Sequence, residues 1–408
     1  MKGENGKMKS DLEQTEIEAP YELPEGWKWV QQNEVCKLTD GEKRTGTEFP
    51  YLEVKYLRGK KEKDFVSTGK FIKAGTKVIL VDGENSGEVF TVPEDGFMGS
   101  TFKALEISNV NENYLQYFIY TKKDLYRNNK KGSAIPHLDK KLFFTMPFPL
   151  PPTLAEQQRI VNRIESMFAK LDEAKEKAQN VVDGFETRKA AILHKAFTGE
   201  LTAKWRKENG VSDDSWEEKT IGECGKWERG RSKHRPRNAP ELFGGKYPFI
   251  QTGDIANADI YIYEHKQTLS EFGFQQSRLF PKDTLCITIA ANIGKVAILT
   301  YDCCFPDSVV GFTPFENVDS KFMYYKINDM QKDLEAMAPA TAQKNLNLKL
   351  LTSVSVQIPT FPEQVEIVRI LDIIIEKENK AKQAAEAVLE QIDLLKKSIL
   401  ARAFRGEL

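Results

Sequence analysis

Residues 156–201, EQQRIVNRIESMFAKLDEAKEKAQNVVDGFETRKAAILHKAFTGEL, return without a gap as residues 363–408, EQVEIVRILDIIIEKENKAKQAAEAVLEQIDLLKKSILARAFRGEL. Glu156 and Gln157 match Glu363 and Gln364, Ile160 and Val161 match Ile367 and Val368, and the AFTGEL ending matches AFRGEL. The likeness reaches upstream. Asn85 and Gly87 meet Asn292 and Gly294; with a one-residue shift Phe97, Ser100, Leu138 and Leu142 meet Phe305, Ser308, Leu346 and Leu350. Trp29, Glu34 and Cys36 rhyme with Trp216, Glu223 and Cys224 at the start of each half. A duplicated chain folds twice to one plan, so the sequence predicts an internal pseudo-two-fold repeat whose unit is a non-helical region followed by a long helix.

The repeated helices carry a coiled-coil seam. In the first, Ile160, Ile164, Met167, Leu171, Ala174, Ala178, Val181 and Phe185 are spaced alternately four and three apart. The second offers Ile367, Leu371, Ile374, Ala381, Ala385, Val388, Ile392, Leu395 and Ile399, with Glu378 where an apolar residue is expected. Both begin after proline, at Pro151-Pro152 and at Pro359 and Pro362, and both end at glycine, Gly199 and Gly406. A long helix with one apolar stripe needs a partner, and each has its own copy in the chain, which predicts an antiparallel pair. Roughly 40 residues at about 1.5 Å each would span about 60 Å, somewhat under two turns of B-DNA at about 34 Å per turn. A coiled-coil scaffold protein without DNA binding fits the periodicity equally well.

At 408 residues the chain is too long for one ordinary core. The predicted division is a disordered or loosely attached segment over 1–20, a domain over 21–152, a helix over 153–201, a linker over 202–215, a second domain over 216–358 and the second helix over 359–408. KVILV (77–81), EVFTV (88–92), KYPFI (246–250), IYIY (260–263) and TLCITIA (284–290) read as strands, and 113–128 and 320–337 as short helices. Tyr114, Tyr117, Phe118, Tyr324 and Tyr325 sit at helical spacing, as core residues would. The fold class is therefore α+β, with two strand-rich mixed α/β domains joined by an antiparallel coiled coil. No stretch is apolar enough to span a bilayer and the start is too polar for a signal peptide, so a cytoplasmic protein is expected. Five cysteines without a CxxC spacing argue against a disulfide framework or structural zinc. A net charge of −1 gives no global attraction for nucleic acid, and any such role must rest on local clusters.

One cluster stands out. Arg229, Arg231, Lys233, Arg235 and Arg237 alternate with Gly230, Ser232, His234 and Pro236 with no acid between them. The pattern predicts a flexible basic loop of the kind that binds phosphates or pairs bidentately with guanine. The first half has thinner counterparts in Lys43, Arg44, Arg58, Lys60 and Lys61. A second candidate surface is the turn at Asn292 with Thr341, Gln343, Lys344 and Asn345, matched in the first half by Asn85, Ser86 and Ser133; amides can read adenine edges. No GxGxxG after a strand, no GxxxxGK[ST] and no HExxH is present, and the four histidines are scattered. Pro306-Asp307 lacks the Asp/Glu-x-Lys that would complete a nuclease pair. Neither a catalytic set nor a metal site is expected.

LPPTLAEQQRIV (150–161) and IPTFPEQVEIV (358–368), each opening a helix that closes in AFTGEL or AFRGEL, resemble the specificity subunit of Type I restriction-modification systems. LPEGWKWV, SWEEKTIGE, YPFIQTGDI, AANIGKVAIL and QKNLNLKLL fit the same family. The resemblance covers nearly the whole chain. It implies two target recognition domains, each reading one half of a bipartite, asymmetric double-stranded DNA target, with the helices as the spacer. It implies two methylation subunits as partners, which bring S-adenosylmethionine and methylate adenine at N6, together with restriction subunits. It implies no catalytic residue and no cofactor in this chain.

Overall fold

The computed structural model describes residues 19–131, 136–290, 292–337 and 346–408. They divide into two compact units, one made of residues up to 179 together with 386–408, the other of residues 180–385. Most of the expected segment 1–20, and Ser133, Thr341, Gln343, Lys344 and Asn345, lie outside the described residues.

The first unit holds a four-stranded antiparallel sheet in the order Cys36–Thr39, Phe102–Ile107, Lys77–Leu80, Val89–Thr91. Beside it Glu42–Leu52, Phe65–Ile72 and Gly96–Met98 pair among themselves. Lys28–Gln31 runs antiparallel to Pro147–Leu150, which brings the start and end of the globular part together. The second unit repeats the plan: Gly225–Arg229, Val309–Pro314, Leu285–Thr288 and Val296–Leu299 form the same run of neighbours, extended by Tyr261–Ile262, and Glu217–Thr220 pairs with Ser355–Ile358. A smaller sheet is built from Gln267–Leu269, Phe243–Phe249, Cys303–Cys304 and Leu279–Phe280. The five predicted strands all form, each within a residue or a few of the expected bounds. The two predicted short helices each break into two pieces, Glu112–Thr121 with Lys123–Asn128, and Ser320–Asp329 with Gln331–Met337. Tyr114, Phe118, Tyr324 and Tyr325 are buried core residues and Tyr117 is partly covered. All five cysteines are free and buried. No helix among the described residues is long and apolar enough to cross a membrane.

The EQ pair that opens each repeat has a structural reason. Buried Gln157 accepts the Asn111 backbone N–H at 2.7 Å and donates to the Pro151 carbonyl at 3.4 Å. Gln364 accepts the Asp319 N–H at 2.9 Å and donates to the Pro359 and Asn317 carbonyls at 2.9 and 3.1 Å. Asn111 and Asp319 are the N-caps of Glu112–Thr121 and Ser320–Asp329. One glutamine side chain thus fastens each long helix to the capped end of its domain's own helix.

The first long helix runs Leu154–Asp183, is interrupted at Gly184 and resumes as Phe185–Phe197; the second is continuous over Phe361–Phe404. Gly199 and Gly406, with φ of 79° and 73°, take the left-handed turn that ends each one. Pairing within each unit is antiparallel. Lys396 meets Asp172 at 2.5 Å in the first unit, and Arg188 meets Glu378 at 2.7 Å in the second. The odd acid of the predicted seam is thereby answered: the Arg188 Nε donates to Glu378 while its Nη2 donates to the Val181 carbonyl, at 2.9 Å, beside the Gly184 interruption.

The seam departs from prediction on the second helix. Ile367, Leu371, Ala385 and Ile392 are buried, but Ile374 is only partly covered, and Ala381, Val388 (39 % exposed) and Leu395 (48 %) face solvent. The inward row is instead Ile375, Lys382, Leu389, Lys396 and Ala403. At 3.6 residues per turn, a position four residues on is displaced by about 40° and one three residues on by about 60°, so the wider row drifts out of the contact. Lysine stems fill the vacated side, Lys382 over the Phe185 ring and Lys396 over Phe168, which counting apolar letters does not detect. On the first helix Ile160, Ile164 and Phe185 are buried, and Met167, Leu171 and Val181 are partly covered.

Candidate nucleic-acid interface

In the second unit a relay of backbone hydrogen bonds draws the candidate loops together. Leu346 N–H donates to the Ile289 carbonyl at 2.8 Å, Ile289 N–H to Ser308 at 3.0 Å, Gly230 N–H to Val309 at 2.9 Å and Arg231 N–H to Phe305 at 3.1 Å. The start of the arginine segment, the 305–309 turn, the Asn292 turn and the residue that follows 341–345 therefore line one edge. The first unit repeats the first two of these bonds, Leu138 N–H to Val81 at 2.8 Å and Val81 N–H to Thr101 at 2.9 Å, and adds Gly83 N–H to Pro136 at 2.8 Å. The Asn85 turn is thus joined to the end of the 130–138 segment. Sequence alone paired these stretches by offset; the sheet is what makes them neighbours.

The arginine segment is not a free loop. Arg229 is the last residue of a strand and its Nε donates to the Asp307 carbonyl; Arg237 Nη2 meets Asp307 Oδ2 at 2.8 Å; Lys233 N–H reaches the Gln276 carbonyl at 3.3 Å. Arg235 turns back onto the Ser232 and His234 carbonyls at 2.8 and 2.7 Å, and His234 lies 3.6 Å from Glu241. Arg231 points its Nε into the interior, where it has no partner among the described residues. The expectation of a flexible loop is corrected: although no acid lies within the stretch, Asp307 supplies a carboxylate to Arg237 from 70 positions away. Lys233 stays exposed, with no ion pair among the described residues. Asn292 is exposed on a tight turn with φ of 54°, its carbonyl accepting from Thr288 Oγ1 at 2.5 Å.

The first unit's candidates are more thoroughly matched by acids. Arg44 pairs with Glu42 and stacks 3.8 Å from the Phe71 ring centre; Arg58 pairs with Glu88; Lys61 bridges Glu53 at 2.7 Å and Asp64 at 2.5 Å. Glu88 N–H donates to the Asn85 carbonyl at 3.2 Å, so Arg58 and the Asn85 turn adjoin, whereas Lys43 and Arg44 belong to the hairpin with 65–72. Lys43 and Lys60 are exposed without an ion pair among the described residues. Ser86 is corrected outright: it is fully buried, its hydroxyl has no partner among the described residues, and it is not exposed to reach a ligand.

Sequence reasoning passed over several groups. Asp40 collects Lys103 at 2.7 Å and also Lys70, and hydrogen bonds from these two ammonium groups hold its carboxyl down to about 2. Lys77 is buried with its Nζ on Thr91, Asn113 and Gln116 at 2.7, 2.8 and 2.6 Å, and burial lowers its pKa. Arg278 pairs with Glu228 at 3.0 Å. None carries a local sequence signal, because each is defined by partners distant in the chain. Among the described residues no group of His, Cys, Asp and Glu is placed to hold a metal ion.

A family model described as the Type I restriction modification DNA specificity domain matches residues 24–182 and again 213–391. The chain belongs to this family. It is a two-domain DNA specificity protein, each copy of the domain carrying its own edge of relayed loops. It is 27 % identical over 95 % of its length to the Type I restriction enzyme MjaVIII specificity subunit of Methanocaldococcus jannaschii, 94 % of which is covered. It is 22 % identical over 99 % of its length to the EcoBI specificity subunit of Escherichia coli, 90 % of which is covered. A solved chain from work on complex assembly and conformational transition of the type I R-M system shares the fold, with a TM-score of 0.74 and 20 % identity over 95 % of this chain and all of that one.

Proposed function

We propose that this specificity protein reads a bipartite, asymmetric sequence in double-stranded DNA, one half through each unit, and thereby positions methylation subunits for adenine N6 methylation. The observation that carries the reading is the presence of two specificity domains in one chain, which share two hydrogen bonds of the loop relay but carry different side chains on it. Like frameworks with unlike surfaces suit two different half-sites. The cations at each edge supply phosphate contacts and the exposed amides and arginines supply base contacts.

In this proposal the chain contributes recognition alone. Two methylation subunits bring S-adenosylmethionine, restriction subunits join for cleavage, and the target adenine leaves the base stack to react. Candidate DNA contacts are Lys43, Arg44, Arg58, Lys60, Lys61 and Asn85 in the first unit and Arg229, Lys233, His234, Arg235, Arg237 and Asn292 in the second. Long-read mapping of modified bases, in cells expressing the methylation partner with and without this chain, tests it. Disappearance of N6-methyladenine from one split motif with a fixed gap is expected; an unchanged adenine map would refute the proposal.

A further inference from the structure

Among the basic residues of the second unit's edge, Arg237 is distinguished by how its charge is handled. Its Nη2 donates to Asp307 Oδ2 at 2.8 Å, and Asp307 is in turn held through its carbonyl by Arg229. The Arg237 side chain is 51 % exposed and that of Asp307 only 31 %, so the acid backs the guanidinium and the arginine fronts it. Only Nη2 of the five-donor fork has a partner among the described residues. A phosphate clamp works through net positive charge and the counterions it displaces, and a carboxylate at hydrogen-bond distance cancels most of that charge. Reading a base edge needs fixed donors rather than net charge, and a buttressed guanidinium keeps its donors while losing its freedom to turn. Lys233, exposed and without an ion pair among the described residues, is the opposite case.

We propose that Arg237 reads a guanine in one half-site as a near-neutral pair with Asp307, which positions it, while unpaired cations such as Lys233 neutralise phosphate. This rests on the DNA-reading role proposed above. A bidentate arginine on guanine O6 and N7 makes the second unit select a G·C pair at one defined position. Asp307 also opposes use of the same arginine on the backbone, since a phosphate drawn to Arg237 would approach a carboxylate.

The test uses the full chain in complex with its methylation subunits. Duplexes carry the motif found by methylation mapping, or that motif with each G·C pair replaced in turn, and are followed by fluorescence anisotropy across a salt series. The wild type is expected to lose roughly tenfold or more in affinity at one replaced G·C pair. Arg237→Ala should bind the intact motif more weakly, be indifferent to that pair, and keep the salt slope. Asp307→Asn should discriminate less at the same pair, while Lys233→Ala should lower the slope by about one with base preference intact. Arg237→Lys, which keeps the charge but not the fork, guards against a misfolded alanine variant and should also lose discrimination. The inference is overturned if Arg237→Ala lowers the slope with base preference intact, if Arg237→Lys still discriminates, or if no G·C pair depends on this residue. A wild-type complex with no preference for any base pair would instead overturn the DNA-reading proposal, and this inference with it.

Discussion

Glu156 and Glu363 hold the same place in the repeat and have opposite surroundings. Glu363 is 0 % exposed, accepting Arg206 Nη1 at 2.7 Å and Thr202 Oγ1 at 2.6 Å. Glu156 lies near the surface, forked with Arg159 three residues on at 2.8 Å. The neighbouring glutamines, by contrast, make the same two kinds of bond in both copies. Duplication thus preserved the residue that fastens helix to domain and left the adjacent acid to whatever cation each copy offered.

That difference is easiest to break at Glu363. Glu363→Ala leaves the largely buried Arg206 guanidinium with Asp213, at 3.0 Å, as its remaining acid and should cost about 2–4 kcal/mol, whereas Glu156→Ala should cost less than about 1 kcal/mol. Thermal unfolding of the two variants decides, and equal losses would erase the distinction. Next in size, Gln157→Ala and Gln364→Ala should each cost about 1–3 kcal/mol by orphaning a capping backbone N–H. Denaturant titration that found one glutamine silent would show that the two fastenings are not equivalent.

A smaller effect is expected where the Arg188 and Glu378 pair interrupts the apolar seam. Replacing both by leucine should leave stability within about 1 kcal/mol of the parent, since an ion pair this exposed contributes little. A large loss would assign the Gly184 interruption to that pair. The smallest effect belongs to Asp40. Its folded pKa is depressed by Lys103 and Lys70, so its contribution is complete above the unfolded value of about 4 and is lost as pH falls through about 2. With Asp40 nearly half exposed, screening reduces this to a few tenths of a kcal/mol. Asp40→Asn should therefore remove a shallow, salt-sensitive slope in acid unfolding, and a steep slope would contradict the assignment.

What could be read from letters was what the chain encodes locally or repeats. Duplication, long helices, glycine ends and strand runs are all of this kind. Glu378 was visible as an anomaly but Arg188, which answers it, was not. The arginine segment looked unpaired because Asp307 lies far along the chain, and Ser86 looked available because a hydroxyl in a Gly- and Asn-containing turn gives no hint of full burial. The second-helix seam misled for another reason: lysine stems do the covering that the apolar pattern assigns to Val388 and Leu395.

The order of synthesis and the order of completion run opposite ways. The first unit's core includes Leu400, Ala403 and Phe404, with Phe404 edge-on to Phe118 at 5.4 Å between ring centres, while the second unit is one uninterrupted stretch. At about 5–20 residues per second, the intervening two hundred or so residues take roughly 10–40 s to emerge from the ribosome. During that interval the earlier-made domain waits with Phe118 and its neighbours lacking the Phe404 ring, and by its end the later-made one has every residue it needs. The domain translated first is the last to close.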